Sequence, residues 1–247
     1  MITRNQVKLI KSLRDKKGRD ETGLFLVEGR NSTAELLESD FDIELLVATE
    51  EFLERYGEKT KRRAKILEIA DKEALGKLGA LETNNAAIAV VKQRANPEIV
   101  LNKDEIIIAL DTIQNPANLG SIVRIADWYG IKKIFASKDT VDFYNPKTIF
   151  ATKGSFLRVN VFYEDLENLL SKQNLPILGA YLEGENVHKI DFPKGGILVL
   201  GNEANGISKK IEKHISRKIT IPRYGGAESL NVAIATAVIL DNWKNRT

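Results

Sequence analysis

The residues able to do chemistry gather in three short stretches. The first runs from Asp111 to Gly130, DTIQNPANLGSIVRIADWYG. An apolar run, Ile106-Ile107-Ile108-Ala109-Leu110, breaks there at Asn115-Pro116-Ala117-Asn118-Leu119-Gly120 and restarts with helical spacing at Ile122, Ile125, Ala126 and Tyr129. A polar, glycine-containing loop at the carboxyl end of a strand, opening a helix, is where open α/β sheets place ligands. Arg124 is expected one turn inside that helix, able to reach back toward whatever the loop holds.

The second stretch is Leu198 to Ser208, in which Gly201 and Gly206 bracket a turn around Asn202-Glu203-Ala204-Asn205. Glycine's permissive dihedrals let such a backbone approach a ligand closely. A phosphate-binding P-loop does not fit, because Ile207 stands where the lysine is required. The third stretch, Ile219-Thr220-Ile221-Pro222, leads to Glu228-Ser229-Leu230-Asn231-Val232-Ala233, where Ser229 is expected to cap a helix. Each has an ordinary alternative: a strand-exit turn for the glycines, a helix cap for Asn118 and Ser229, a solvated acid for Glu203, a surface ion pair for Arg124.

Composition narrows the chemistry. The 247 residues include no cysteine and only two histidines, His188 and His214, which excludes disulfides, thiol nucleophiles and the usual zinc sites. No metal is expected, and reactivity must come from Arg, Glu, Asn, Ser and backbone. There is no run of eighteen apolar residues, and the opening MITRNQVKLIKS lacks a signal peptide's apolar core, so a soluble cytoplasmic protein without membrane contact is expected.

Taken in order, the three stretches resemble the signature motifs of the SpoU (TrmH-type) branch of the SPOUT methyltransferases. That pattern is N-P-x-N-x-G-x-x-x-R-x-A, then G-N-E-x-x-G, then I-P followed by S-L-N. The resemblance covers roughly residues 105–247. It implies a C-terminal, mostly parallel α/β sheet with a deep trefoil knot whose loops bind S-adenosylmethionine. It further implies methyl transfer to a ribose 2′-hydroxyl of rRNA or tRNA, by a protein expected to be a homodimer through its C-terminal domain. Backbone groups of Gly201, Ile221 and Leu230 would hold the adenine, with Ala180 nearby. The implied catalytic residues are Arg124, Asn118, Glu203, Ser229 and Asn231. Arg124 has been cast as general base; as a donor-only group it better suits phosphate binding and stabilisation of the developing alkoxide. Two rivals stand beside this reading. A catalytically silent RNA-binding protein on the same fold is opposed by the intact motif residues. A dinucleotide-dependent oxidoreductase would need a G-x-G-x-x-G after a strand, which is lacking.

The start of the chain has its own likeness. Leu9 to Glu38, with G-x-F-x-V-E-G at Gly23–Gly29, is similar to the substrate-binding domain preceding the catalytic domain in many SpoU enzymes. The net charge of +3 is too small to imply a nucleic-acid partner, but its distribution is uneven. Arg4 to Arg19 holds seven basic residues and one acid, and Lys59, Lys61, Arg62, Arg63 and Lys65 form a second, unopposed cluster. Against the alternative of two solvated faces, their concentration in the first 65 residues favours RNA phosphate contacts. Lys11, Arg14, Lys16, Lys17, Arg62 and Arg63 are the candidates.

The elements that must position these groups alternate in the α/β manner. A basic helix over 4–15 precedes strands at 23–28, 43–48, 65–69 and 87–92, with helices at 31–38 and 72–78 and another between 48 and 65. The polar, aperiodic stretch 93–104 reads as a linker. The expected organisation is a smaller α/β substrate-binding domain at 1–95, a linker at 96–104 and the catalytic domain at 105–247. Strands there are expected at 105–110, 133–136, 158–162, 177–182, 197–200 and 218–221 in a largely parallel sheet. Lys147 and Lys153 lie in a loop, 145–156, that faces substrate in relatives; solvated lysines are the alternative. A last helix, 229–243, is apolar nearly all round, which predicts burial at a subunit interface.

Overall fold

The protein is described by a computed structural model covering residues 2–81, 84–97, 99 and 101–246. Residues 98 and 100 of the expected linker lie outside the described residues. The chain divides into two compact units, residues 1–95 with 142–157, and residues 96–141 with 158–247.

The first unit contains α1 (Arg4–Ser12), α2 (Lys16–Thr22), β1 (Leu24–Glu28), α3 (Arg30–Leu37), β2 (Ile43–Ala48), α4 (Glu50–Arg63), β3 (Leu67–Ile69), α5 (Lys72–Leu78) and β4 (Ala87–Lys92). To these the later segment adds α7 (Pro146–Thr152). Its sheet has the order β1-β4-β2-β3, with β4 antiparallel to both neighbours and β2 parallel to β3. Ile10, Leu13, Leu26, Val47, Ile88 and Val90 fill one core. Phe25, Phe41, Tyr144 and Phe156 pack ring to ring in another cluster.

The basic helix expected over 4–15 stops at Ser12, and a second helix begins at Lys16. Thr3 and Gln6 form a capping box that starts α1, and Leu13 ends it. The chain then turns so tightly that a Cβ on Gly18 would lie 2.2 Å from the Ser12 carbonyl oxygen. Arg19, 2% exposed, locks this turn: Nη1 donates to the carbonyls of Leu13 and Arg14, while Nε and Nη2 donate to Asp142 at 2.9 and 2.6 Å. Glu28, the acid of the G-x-F-x-V-E-G stretch, is also structural. It accepts the backbone N–H groups of Ala80 and Leu81 and the Asn84 amide. Burial pushes its carboxyl above the ordinary 4.5 against these hydrogen bonds, which pull it down.

The second unit contains β5 (Ile106–Leu110), α6 (Pro116–Trp128), β6 (Lys133–Ser137), β7 (Asn160–Glu164), α8 (Leu166–Ser171), β8 (Ile177–Asn186), β9 (Gly196–Leu200), α9 (Lys209–Glu212), β10 (Arg217–Thr220) and α10 (Val232–Lys244). The sheet order is β10-β8-β9-β5-β6-β7, with every pairing parallel. The uninterrupted apolar runs in β5 and β9 are those of central strands, buried on both faces. From β5 the chain builds outward through β6 to β7, then returns to lay β8, β9 and β10 on the opposite side. The carboxyl ends of β5 and β9 therefore flank a topological switch point. On one face Leu166 and Leu170 of α8, Ile211 of α9 and Ile207 just before it pack against Ile107, Ala109, Phe135 and Val199. Ile99 and Leu101 pack against the same core, so the expected linker is not a free tether along its length. α6 and α10 pack against each other.

The last helix departs from expectation. It begins at Val232, and its own chain buries Val232, Ala233, Thr236, Ile239, Leu240 and Trp243. Trp243 stacks on Phe192 and donates its indole N–H to the Pro193 carbonyl at 2.7 Å. Less is left for a partner than an all-round apolar helix suggests: Ile234 is 55% exposed, Ile239 only 1%.

Candidate active site

The three motif stretches converge at the carboxyl edge of the parallel sheet. Asn115, not Asn118, caps α6: its Oδ1 accepts the N–H groups of Ala117 and Asn118, and Pro116 occupies the first turn, where its missing donor costs nothing. Asn118 is thereby free to act as a hub. Its Nδ2 donates to Glu203 Oε1 at 2.6 Å, and its Oδ1 accepts Asn231 Nδ2 at 2.9 Å. Asn231 in turn is the cap of α10, its Oδ1 accepting the Ala233 and Ile234 N–H groups. One carboxamide thus ties together residues 85 and 113 positions away.

The capping role expected of Ser229 falls to Asn231. Ser229 lies in the exposed, non-helical loop 221–230 that joins β10 to α10. Arg124 also sits differently. Because α6 starts at Pro116, Arg124 is two turns inside the helix, about 12 Å along its axis from the first residue. Its side chain is exposed and pairs with no described residue, so the helix-surface ion pair finds no partner.

The turn after β9 is built for close approach. A Cβ on Gly201 would lie 2.2 Å from the Gly206 carbonyl carbon and 2.3 Å from the Ile207 nitrogen. Gly206 has φ +67°, in the region glycine adopts without cost. Asn202 and Gly206 exchange backbone hydrogen bonds, and Asn202 Oδ1 accepts the N–H groups of Ala204 and Asn205. Asn202 Nδ2 then donates to the Thr112 carbonyl at 2.8 Å, stitching this turn to the loop after β5.

Asp111 completes the stitch. It is 1% exposed, accepts the Ser208 N–H at 2.7 Å at the start of α9, and accepts the Thr112 hydroxyl at 3.2 Å. Thr112 is held at φ 63°, unusual for a β-branched residue, with its N–H donated to Ser137 Oγ. Neither Asp111 nor Asn202 stands out as functional by residue type. Their signal was positional: one directly follows a buried strand, the other lies between the two motif glycines.

Gly201, Ile221 and Leu230 carry backbone N–H groups with no acceptor among the described residues. Ala180 is half-buried on β8, beside β9 in the sheet. Free backbone donors on two loops at one sheet edge fit an adenine, whose ring nitrogens accept hydrogen bonds. Among the described residues no cluster could hold a metal ion, and no helix is long and apolar enough to cross a membrane.

The basic candidates lie in the first unit and divide into two kinds. Lys11, Lys16, Lys17 and Arg62 are exposed, with Lys16 and Lys17 near Asp20 and Glu21 one turn on. Arg14 is committed to the carbonyls of Lys77 and Leu78, and Arg63 to those of Ser39 and Phe41. The second cluster is not unopposed in space, since Lys59 pairs with Glu38 and Lys65 with Glu44.

An all-parallel sheet with a glycine turn, free backbone donors and an amide–carboxylate network at its switch point is an α/β domain with a ligand site where such folds bind nucleotide-like groups. Residues 105–241 match the SpoU rRNA Methylase family, and residues 4–101 match the MRM3-like substrate binding domain. The chain belongs to the SpoU rRNA methylase family. It is 28% identical over 239 residues to the 23S rRNA (guanosine(2553)-2′-O)-methyltransferase RlmP of Bacillus subtilis, covering 95% of this chain and 94% of that protein. Among solved structures, a TrmH-family protein from Porphyromonas gingivalis matches with a TM-score of 0.88 and 32% identity over the whole of both chains. An AdoMet-bound rRNA methyltransferase from Sinorhizobium meliloti matches with a TM-score of 0.85 and 29% identity over 99% of this chain and 96% of that one.

Proposed function

We propose that this protein is an S-adenosylmethionine-dependent RNA methyltransferase that acts on a ribose 2′-hydroxyl of rRNA or tRNA. The observation that carries the reading is the Asn118 hub, which joins Glu203 and Asn231 beside the Gly201 turn. The Bacillus subtilis relative, which matches nearly the full chain, is named for 23S rRNA, which favours a ribosomal substrate in the cytoplasm.

S-adenosylmethionine supplies an electrophilic methyl group on a sulfonium. Gly201, Ile221 and Leu230 hold its adenine through backbone groups, with Ala180 lining the same edge. Glu203 and Asn231, fixed through Asn118, orient the ribose, and Ser229 lies one residue from the cofactor contact at Leu230. Arg124 would bind a phosphate next to the acceptor nucleotide and stabilise the negative charge developing on the 2′-oxygen as its proton passes to solvent water.

The protein works as a homodimer through the second unit. Ile234 on α10 and Trp128 on α6, 55% and 85% exposed, offer apolar surface on two helices that pack together. Two helical turns separate Arg124 from the start of its own motif loop, which favours its service to the partner's centre, each site drawing on both subunits. Lys11, Lys16, Lys17 and Arg62 contact RNA phosphates from the N-terminal unit.

The test is methyl incorporation from labelled S-adenosylmethionine into RNA from a deletion strain, with the modified nucleotide mapped. Arg124→Ala is expected to abolish transfer while calorimetry finds cofactor binding intact. Near-normal turnover in that variant would overturn the assignment.

A further inference from the structure

The loop between Ile221 and Asn231 carries a feature that cofactor binding and the Asn118 hub do not use. Tyr224 is 92% exposed, and it is flanked by Arg223, Gly225 and Gly226. Arg223 is exposed too; Nη1 donates to the Ala227 carbonyl at 3.3 Å and forms no ion pair among the described residues. The tyrosine ring takes part in no aromatic contact among the described residues, and of the exposed large apolar side chains in this unit Trp128 and Ile234 sit on helices, Leu182 in a strand and Leu230 at the far end of this same loop.

We infer that Tyr224 is a base-stacking residue and Arg223 its phosphate-binding neighbour, together gripping an unpaired nucleotide next to the methylated ribose. This rests on the methyltransferase reading above. The loop leaves the sheet at Ile221, a cofactor contact, and ends at Asn231, a member of the polar network. Any ribose placed between cofactor and network must therefore lie alongside residues 222–230. Single-stranded RNA is held by stacking its splayed bases on exposed aromatic rings and by cations on its backbone. A solvent-facing ring beside a guanidinium offers both, and the adjacent glycines present no side chain to obstruct a base lying on the ring.

The occupant is an RNA base rather than a protein surface because the ring's neighbours are polar or bare. Arg223, Gly225, Gly226, Glu228 and Ser229, all exposed, are polar or bare, and the loop's other strongly exposed large apolar side chain, Leu230, lies six residues on at the position assigned to the cofactor. The apolar surface suited to a second copy is on α6 and α10 instead.

The experiment compares wild type with Tyr224→Ala and Tyr224→Phe. The probes are a fluorescein-labelled mixed-sequence single-stranded RNA of about twenty nucleotides, comfortably longer than a typical single-strand binding site, read by anisotropy, and unmethylated total RNA, read by methyl incorporation. Cofactor affinity is measured by calorimetry and assembly by sedimentation. Tyr224→Ala is expected to weaken single-strand binding and raise KM for RNA by roughly 5- to 150-fold, the range of base–aromatic stacking. Tyr224→Phe keeps the ring and is expected to behave as wild type, with cofactor affinity and assembly unchanged in both. Wild-type RNA affinity in the alanine variant overturns the inference, as does a phenylalanine variant as damaged as alanine, which would assign the effect to the hydroxyl. Loss of dimer or of cofactor binding in Tyr224→Ala also overturns it, placing the ring at a subunit contact or in the cofactor pocket. Absence of methyl transfer by wild type would instead defeat the underlying reading.

Discussion

Replacing Asp111 tests whether the stitch beneath the cofactor turn governs function. Asp111→Ala abandons the Ser208 N–H, a charge-assisted bond of about 1.5–3 kcal/mol, and the Thr112 hydroxyl, about 0.5–1.5 kcal/mol. Removing a buried carboxylate also removes its desolvation cost, which offsets part of that loss. A net destabilisation of about 2 kcal/mol lowers the melting temperature of the second unit by roughly 4–8 °C. The functional consequence exceeds the thermal one. If the turn loosens, binding S-adenosylmethionine must reorder it, and each refrozen residue costs about 1–2 kcal/mol, or roughly 5- to 30-fold in Kd. Asp111→Asn is the control. Its oxygen still accepts from Ser208, and the Thr112 hydroxyl can rotate to accept from the new amide, so most of the affinity returns. Differential scanning calorimetry and cofactor titration measure the two effects separately. An alanine variant with unchanged melting and unchanged cofactor affinity would refute the reasoning, since the turn would then hold its shape without Asp111.

Four further outcomes are expected. Arg124→Lys retains the charge and loses the bidentate fork, so methyl transfer should fall well below wild type; activity near wild type would indicate a role for charge alone. Charge reversal of Lys11, Lys16, Lys17 and Arg62 to Glu should flatten the salt dependence of RNA binding, by about 0.7–0.9 in slope for each phosphate no longer neutralised, without altering cofactor affinity. Ile234→Asp adds a charge at a position already exposed in the single chain, so the fold should persist while sedimentation detects monomer; an active dimer would move the interface elsewhere. Glu28 binds its proton more tightly in the folded state, so its contribution to stability is present below pH 4.5 and lost as pH rises through its raised folded value. Glu28→Gln should therefore flatten the pH dependence of the first unit's melting in that window, and an unchanged profile would count against the burial argument.

The parallel sheet was legible in the sequence, as was a set of polar residues that the fold brings together. Unbroken apolar runs such as Ile106–Leu110 suit central strands covered on both faces, and three spaced motifs marked Asn118, Glu203 and Asn231 as a set. What it could not determine was the division of labour within each motif. Asn115 and Asn118 are the same residue type three positions apart, and both suit a helix cap; only the start of α6 at Pro116 assigns the cap to one and frees the other. Arg14, Arg19 and Arg63 read as free cations because charge is counted along the chain, whereas carbonyls and carboxylates from distant segments meet them in space. α10 read as an interface because its apolar content shows on every side, while how much the chain itself covers depends on which strands and helices surround it. Asp111 and Thr112 escaped notice for the same reason. A buried acid and a left-handed threonine acquire meaning only when the turn after β9, 90 residues on, closes over them. Local pattern encodes what a segment can bury, but long-range packing decides which polar group meets which.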